Sequence, residues 1–428
     1  MSAGRRLLDD CFLHDRDRMR HSEVLALISE RLSPIVPTEL VPLREAAGRI
    51  LAEQIAAPRD VPFSDNSAVD GYAFAYADYF KRNTLGIRTR IAAGDLAPVE
   101  IGKGEAARIF TGAAMPTGAD TVAMQEDCEL SEDGSTVTVP KGLKPGANRR
   151  RAGEDVAQGS IAIEPCVRLR AQDLAAIASF GFDQVPVYRR LRIAVLSTGN
   201  ELVEPGSADP FQPGLVFDSN RTMLAALAET LPIEITDLGI LKDDASLIAR
   251  TIEDAAGKHD VILSTGGASR GEEDHVVTTL DSLGKRHLWQ IAVKPGRPMV
   301  VGQIPTDQGD CVFFGLPGNP VAVLVCFLLY VRPALTILGG GQALEPVRYQ
   351  LPAAFHIARK KTDRREFLRG WLAIGPDGIT RIEKFPRDGS GLITGLRQAT
   401  GLIELDEAVN EVREGDRVAF IPFNEFGL

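Results

Sequence analysis

The sequence predicts a multidomain α/β plus β protein. Its parts are a doubly wound α/β domain (187–340), a β-rich domain (59–151) inserted into a helical stalk (22–58 and 152–186), and a small C-terminal β-barrel (341–428). Three observations carry this. Between 190 and 340 an unbroken apolar run, a glycine loop and a helical pattern recur, in LRIAVLSTGNEL, DVILSTGGASRG and CVFFGLPGNPVAVLVCFLLY; parallel strands buried on both faces read this way. From Ala57 to about Arg151 the text turns to Gly, Pro, Val, Thr and Ile in short runs such as 88–92 and 136–139, which suits strands. From Glu345 onward polar and apolar residues alternate around Gly375-Pro376-Asp377-Gly378 and Arg387-Asp388-Gly389, which are turn signals.

Along the chain, SEVLALISERL (Ser22 to Leu32) shows helical spacing behind a serine cap, and Leu43 to Ile55 repeats that spacing; two short helices are expected there. RAQDLAAIAS (Arg170 to Ser179) predicts a third helix that packs back on them and makes the β domain an excursion from the stalk. The longest apolar run, Val321 to Val331, falls short of the 18 or so residues of a membrane span and reads as a buried helix. The N-terminal residues hold two early arginines but no apolar core of an export signal, so a cytoplasmic location and no membrane partner are expected.

Composition narrows the function. In 428 residues, 48 basic and 58 acidic side chains give a net charge of −10, which argues against nucleic acid as the main partner. Five scattered cysteines (Cys11, Cys128, Cys166, Cys311, Cys326), without CxxC spacing, point to a reducing compartment and against structural zinc.

The chemistry gathers in the α/β domain. Three strand ends break into small loops: Ser197-Thr198-Gly199, Ser264-Thr265-Gly266-Gly267 and Leu316-Pro317-Gly318-Asn319-Pro320. Ligands of open parallel sheets bind outside the carboxyl ends of the strands, where glycine admits close backbone approach. Asn319 as N-cap with Pro320 behind it would leave a helix end set for an anion. Ordinary strand-to-helix turns explain one such loop; three together favour a phosphate-bearing ligand. Neither GxxxxGK[ST] nor GxGxxG opens these helices, so common nucleotide folds lose support. Acidic residues follow: Glu201, Asp243, Asp244, Glu272, Glu273 and Asp274. Beside phosphate they suit a Mg²⁺ ion, which takes one or two carboxylates plus phosphate oxygens; a solvated acidic face is the alternative. In Lys294-Pro295-Gly296-Arg297-Pro298 a stiff turn carries two cations three residues apart, able to meet one oxyanion or simply to lie solvated. In the insert, Asp65 to Tyr72 and Arg149-Arg150-Arg151 with Glu154-Asp155 read equally as Asx turns and an exposed charge run.

Seven phrases, in order and spanning nearly the whole chain, resemble one family: DNSAVDGYA from Asp65, RIFTGAAMPTGAD from Arg108, RRAGEDV from Arg150, STGNEL from Ser197, STGGASRGEEDHV from Ser264, VKPGRP from Val293 and LPGNPVAV from Leu316. The family is that of the molybdopterin molybdenumtransferases, the MoeA and gephyrin E-domain type. The resemblance implies a four-part subunit in a homodimer, with a molybdopterin-binding α/β domain whose cleft is completed by the other subunit. It also implies Mg²⁺-dependent insertion of molybdate into adenylyl-molybdopterin with release of AMP. Transient contacts with the molybdopterin adenylyltransferase and with apo-molybdoenzymes follow from that role.

Carried over by position, the resemblance marks Asp274, Asp243, Glu201 and Lys294 as catalytic, with Asp243 and Asp274 as metal ligands. Substrate contacts fall on Asp65, Thr111, Arg150, Asp155, Ser197, Gly199, Ser264, Gly266, Gly267, Arg297, Pro317, Gly318, Asn319, Pro320, Arg364 and Ser390. The chain departs from the family pattern at Arg297 in place of the second lysine of KPGK, at Ala322 in place of a serine, at Asn200 in place of an aspartate, and at Arg270 in a loop often apolar there. Two alternatives stand beside this reading: the adenylylation step itself, and a non-catalytic carrier or scaffold of the same fold.

Overall fold

A computed structural model describes residues 18–95, 99–207, 212–266 and 275–428. Six strands make the central sheet in the order Ile233–Leu241, Leu191–Thr198, Val261–Thr265, Gly309–Leu316, Pro298–Thr306 and Lys285–Gln290. The first four run parallel, and the last two close the edge antiparallel. Alternation of side chains sends Ile193, Val195 and Leu263 to one face, against Leu224, Leu227 and Val323. Ala194, Leu196 and Ile262 go to the other, against Ile248, Ile252, Val276 and Leu280. With each buried aliphatic side chain contributing about 1.5–3 kcal/mol, the two faces explain why these strands read as continuous apolar runs.

The predicted buried helix is longer than its apolar run. It spans Pro320–Cys326, one π-helical turn at Phe327–Val331 and Arg332–Leu338 without interruption. Within these 19 residues an 18-residue window has a mean hydropathy of 2.3, long and apolar enough to cross a membrane, yet 78% of that window is buried inside the protein. Its apolarity serves the core.

The stalk departs from expectation. The helix His21–Arg31 forms, but 43–55 does not make a second one: Thr38–Pro42 is a strand paired antiparallel with Gln184–Tyr188, Leu43–Glu45 is a single 3₁₀ turn, and Ile55–Ala56 pairs with Ile161–Ile163. Gly48, at φ +73°, turns the chain out of helical geometry. Leu51 and Ile55 are buried all the same, in a small core with Val41, Leu169, Ile177 and Val187. The predicted helix Ala171–Ser179 forms and supplies Ile177 to that core, whereas Val24 of the first helix packs into the core beneath the α/β sheet. The third helix therefore does not pack back on the first.

The insert is a six-stranded sheet, Thr121–Met124, Gly71–Phe74, Glu105–Ile109, Thr84–Ile91, Thr136–Thr138 and Glu129–Leu130 in spatial order, with a small core on each face. Its neck is closed by a Val61–Val156 bridge and by pairing of Asn66–Ser67 with Arg149–Arg150. The C-terminal strands Arg365–Ile374, Gly401–Leu405, Arg417–Pro422 and Tyr349–Pro352 pair in that order, with Thr380–Lys384 also on Arg365–Ile374. Val293–Lys294 from the α/β domain joins this sheet in parallel, Lys294 opposite Glu366. That short ladder fixes where the predicted cation turn meets the C-terminal domain.

Candidate functional site

Parallel pairing brings the glycine loops together: Ser197 lies opposite Thr265, and Thr265 opposite Leu316. Gly266 has φ +87°, and a Cβ there would collide with the Thr198 carbonyl, so only glycine lets these two loops touch. Ser197, Thr198 and Ser264 are buried, and among the described residues their hydroxyl oxygens have no hydrogen-bond partner. Buried polar atoms are rarely left so in native proteins; a ligand on the strand ends would satisfy them.

Sequence reasoning missed Asn220. It is buried in the first turn of the helix Asn220–Ala228, and its amide nitrogen donates to Thr265 Oγ1 at 3.0 Å and to the Gly318 carbonyl at 2.7 Å. Thr265 in turn donates to the Pro317 carbonyl at 3.1 Å. One carboxamide thus ties the second and third glycine loops, while its own Oδ1 is buried and, among the described residues, has no partner. The polar triplet Asp218-Ser219-Asn220 ahead of an apolar helix was the available signal.

The acidic edge lies beside the first loop. Asp243 accepts from the Asn200 backbone amide at 3.0 Å and returns its own amide to Asn200 Oδ1 at 3.2 Å. Glu201 is exposed; its carboxylate packs beside Gly199, at φ +151°, where a Cβ would strike it. Asp244 instead caps the helix Ala245–Ala256, accepting from Leu247 N at 2.8 Å, and its bonds from Ser246 and Leu247 hold its carboxyl below the usual range. No group of three metal-capable side chains converges among the described residues. Asp274, Gly267, Arg270, Glu272 and Glu273 lie outside them. The strap that follows Glu201 is pinned by buried Arg221, which bonds Asp218 at 3.0 Å, Asp237 at 2.6 Å and Glu204 at 2.6 Å.

A cavity of about 260 Å³ opens between the α/β and C-terminal domains, lined by Lys294, Arg297, Arg364, Arg369, Lys384 and Arg387 with Asn319, Ala322, Asp388 and Ser390. Several of these cations are held by named partners. Gly296, at φ +108°, turns Lys294 and Arg297 into the cavity where a Cβ would hit Cys326. Arg297 donates to Gln290 Oε1 at 3.0 Å. Lys294 and Arg364 share Glu366, at 3.4 and 3.2 Å. Arg369 donates to the Arg387, Gly389 and Leu392 carbonyls and stacks 4.7 Å from the Phe385 ring. Lys384 pairs with Asp388 at 2.8 Å and holds that carboxyl low. Such a concentration of cations suits a tetrahedral oxyanion. The helix starts where expected, with Asn319 at the N-cap and Pro320 in the first turn, but the Asn319 side chain makes no cap bond and the Val321 amide is taken by the Ser390 carbonyl at 3.1 Å. Ser390 and Arg364, predicted as anion contacts, do line the cavity, as do Pro317 and Asn319.

The insert residues gather at its neck. Asp65 accepts from the Ala152 amide at 2.8 Å and pairs with Arg149 at 3.3 Å, not with Arg150, which is exposed. Thr111 donates both its amide and its hydroxyl to Asp70 Oδ1, each at 2.8 Å; those bonds hold the Asp70 carboxyl low. Asp155 is exposed, its amide on the Val61 carbonyl. Among the described residues, none of these hydrogen bonds reaches the glycine loops or the cation cavity.

Three family models cover the chain in order: the MoeA N-terminal region (domains I and II) at 19–181, a probable molybdopterin binding domain at 194–337 and the MoeA C-terminal region (domain IV) at 350–423. A molybdopterin molybdenumtransferase of Haemophilus influenzae is 37% identical over 92% of this chain and 96% of its own length. One from a Nostoc species is 40% identical over 86% and 85%. The crystal structure of a molybdopterin biosynthesis MoeA protein from Pyrococcus horikoshii superposes with a TM-score of 0.79 at 30% identity, covering 95% of this chain and all of that one. With glycine loops in the second matched region and a cation cavity between the second and third, the chain belongs to the MoeA family.

Proposed function

We propose that the protein is a molybdopterin molybdenumtransferase that inserts molybdate into adenylyl-molybdopterin and releases AMP. One observation carries this reading. The loop Leu316 to Pro320 belongs to both sites: Asn220 holds its Gly318 carbonyl in the glycine-loop cleft, while Pro317 and Asn319 line the cation cavity. A phosphate-bearing ligand and a tetrahedral oxyanion bound there would be neighbours, as metal insertion into the phosphate-bearing pterin requires.

In this mechanism the buried hydroxyls of Ser197, Thr198 and Ser264 and the Asn220 carboxamide orient the ligand on the strand ends. Lys294, Arg297 and Arg364 neutralise the dianionic molybdate. Asp243, bonded to Asn200, with Glu201 next to Asn200 in sequence and Asp274 by family position, would hold Mg²⁺, whose charge offsets that of the pyrophosphate; hard carboxylate oxygens suit this ion. Arg369 keeps the 387–392 loop, and so Ser390, against the cavity.

The protein works in the cytoplasm as a homodimer. A groove of about 890 Å³ runs between the first helix, the far end of the long core helix and the 341–348 segment, lined by Leu25, Ile28, Leu329, Leu335, Leu344 and Val347. Leu344 is 83% exposed and Val347 51%, an apolar stripe that a second copy would cover. The adenylate comes from a molybdopterin adenylyltransferase and the product goes to apo-molybdoenzymes.

The test is AMP release from adenylyl-molybdopterin with Mg²⁺, with and without molybdate, followed by reconstitution of an apo-molybdoenzyme. Molybdate-dependent release yielding active enzyme is expected. Tight binding of the adenylate without release would leave the protein a carrier, and ATP consumption with free molybdopterin would make it an adenylyltransferase.

A further inference from the structure

Two cations on one wall of a cavity repel each other, and something must hold them there. On the strand Arg365–Ile374, Arg365 turns to Glu404, Asp406 and Glu407, so alternation sends Glu366 the opposite way. Its carboxylate is 8% exposed and splits its oxygens: Oε2 meets Lys294 Nζ at 3.4 Å, Oε1 meets Arg364 Nε at 3.2 Å. The backbone of Glu366 is fixed twice, paired with Lys294 on one side and Leu405 on the other. Lys360 closes the same corner, donating to the Arg364 carbonyl at 2.8 Å. Glu366 itself does not line the cavity; the two cations it holds do.

From this geometry we propose that Glu366 is a positioning residue that sets the affinity of the oxyanion cavity. It holds Lys294 and Arg364 at the wall and removes one of their two positive charges. A wall of cations alone would bind any tetrahedral dianion tightly and release it slowly. The buried carboxylate behind the cations lowers the affinity to one compatible with handing the oxyanion on. This role rests on the oxyanion reading of the cavity.

Its sign separates it from a structural role. Glu366→Gln keeps the size of the side chain and one acceptor oxygen but removes the charge that repels the anion. Equilibrium dialysis of the full-length protein with molybdate, and with sulfate as a second tetrahedral dianion, at low ionic strength should show Glu366→Gln binding both at least about fivefold tighter than wild type. Glu366→Ala, which also frees the two cations, should bind more weakly than Glu366→Gln. Equal or weaker binding by Glu366→Gln, when wild type binds molybdate, overturns the role of Glu366 alone; a wild type that binds neither anion overturns the oxyanion reading with it. A wild-type crystal soaked in molybdate decides the matter without a variant. The anion should sit on Lys294 or Arg364 while both keep their Glu366 contacts, and a Glu366 turned away from them would refute the proposal.

Discussion

The Asn220 carboxamide donates to the Gly318 carbonyl at 2.7 Å, across 98 residues of sequence. Through this bond and the one to Thr265 Oγ1, the first turn of one helix sets the spacing between two strand-end loops. A satisfied network in a buried setting is worth more than its separate bonds, and a broken one leaves acceptors stranded.

Asn220→Ala should therefore destabilise the protein by about 2 kcal/mol and slow AMP release more than tenfold. Asn220→Asp, which turns an acceptor toward the Gly318 carbonyl, should be worse. Urea unfolding and turnover of both variants, of Thr265→Val and of the Asn220→Ala/Thr265→Val double variant test this; if the two single effects simply add in the double variant, the network is not a unit.

At the acidic edge, chelation of divalent ions should abolish AMP release, and Asp243→Asn should raise the Mg²⁺ concentration needed for half-maximal rate. Asp243→Asn keeps an oxygen for the Asn200 amide, so the thermal midpoint should barely move. Unchanged Mg²⁺ dependence would remove Asp243 from the metal site.

His21 yields a prediction about pH. It is buried against Tyr330 and Phe367, with Nδ1 2.8 Å from the Tyr330 hydroxyl. Burial, then Arg365 and Arg348, push its imidazole from 6.5 down to about 3. The unfolded chain takes up the proton first, so stability is full above about pH 6.5 and declines as pH falls toward 3. Between pH 7 and 4 this one group accounts for about 3 kcal/mol. Urea unfolding at both pH values should show His21→Phe losing less stability on acidification than wild type, by about that amount.

For the groove, Leu344→Glu should convert the proposed dimer to monomer, read by light scattering. Wild type that is itself monomeric at micromolar concentration would set the dimer aside.

Legibility in the sequence followed the range of the interactions. The glycine loops could be read because strand, glycine and helix are neighbours in the chain, and Lys294 and Arg297 because one turn carries both. Arg369 could not: its guanidinium holds carbonyls 18 to 23 residues away, and nothing local distinguishes it from a surface arginine. Glu366 was hidden likewise, since its partner Lys294 reaches it only through a two-residue ladder between domains. The reading of 43–55 as a helix failed for another reason. Leu43, Ala46, Leu51 and Ile55 fit helical spacing, but the same residues bury equally well in a winding segment that Gly48 bends. The N-cap position of Asn319 was legible, but not that the Val321 amide goes to the Ser390 carbonyl, contributed by another domain.

The neck of the insert, where Val61 bridges Val156 and Asn66–Ser67 pairs with Arg149–Arg150, has an evolutionary meaning. Entry and exit lie side by side, so everything between them behaves as a cassette that recombination can swap or delete with a single short turn as the splice. The neck residues Asp65, Thr111 and Arg150 gather at that joint.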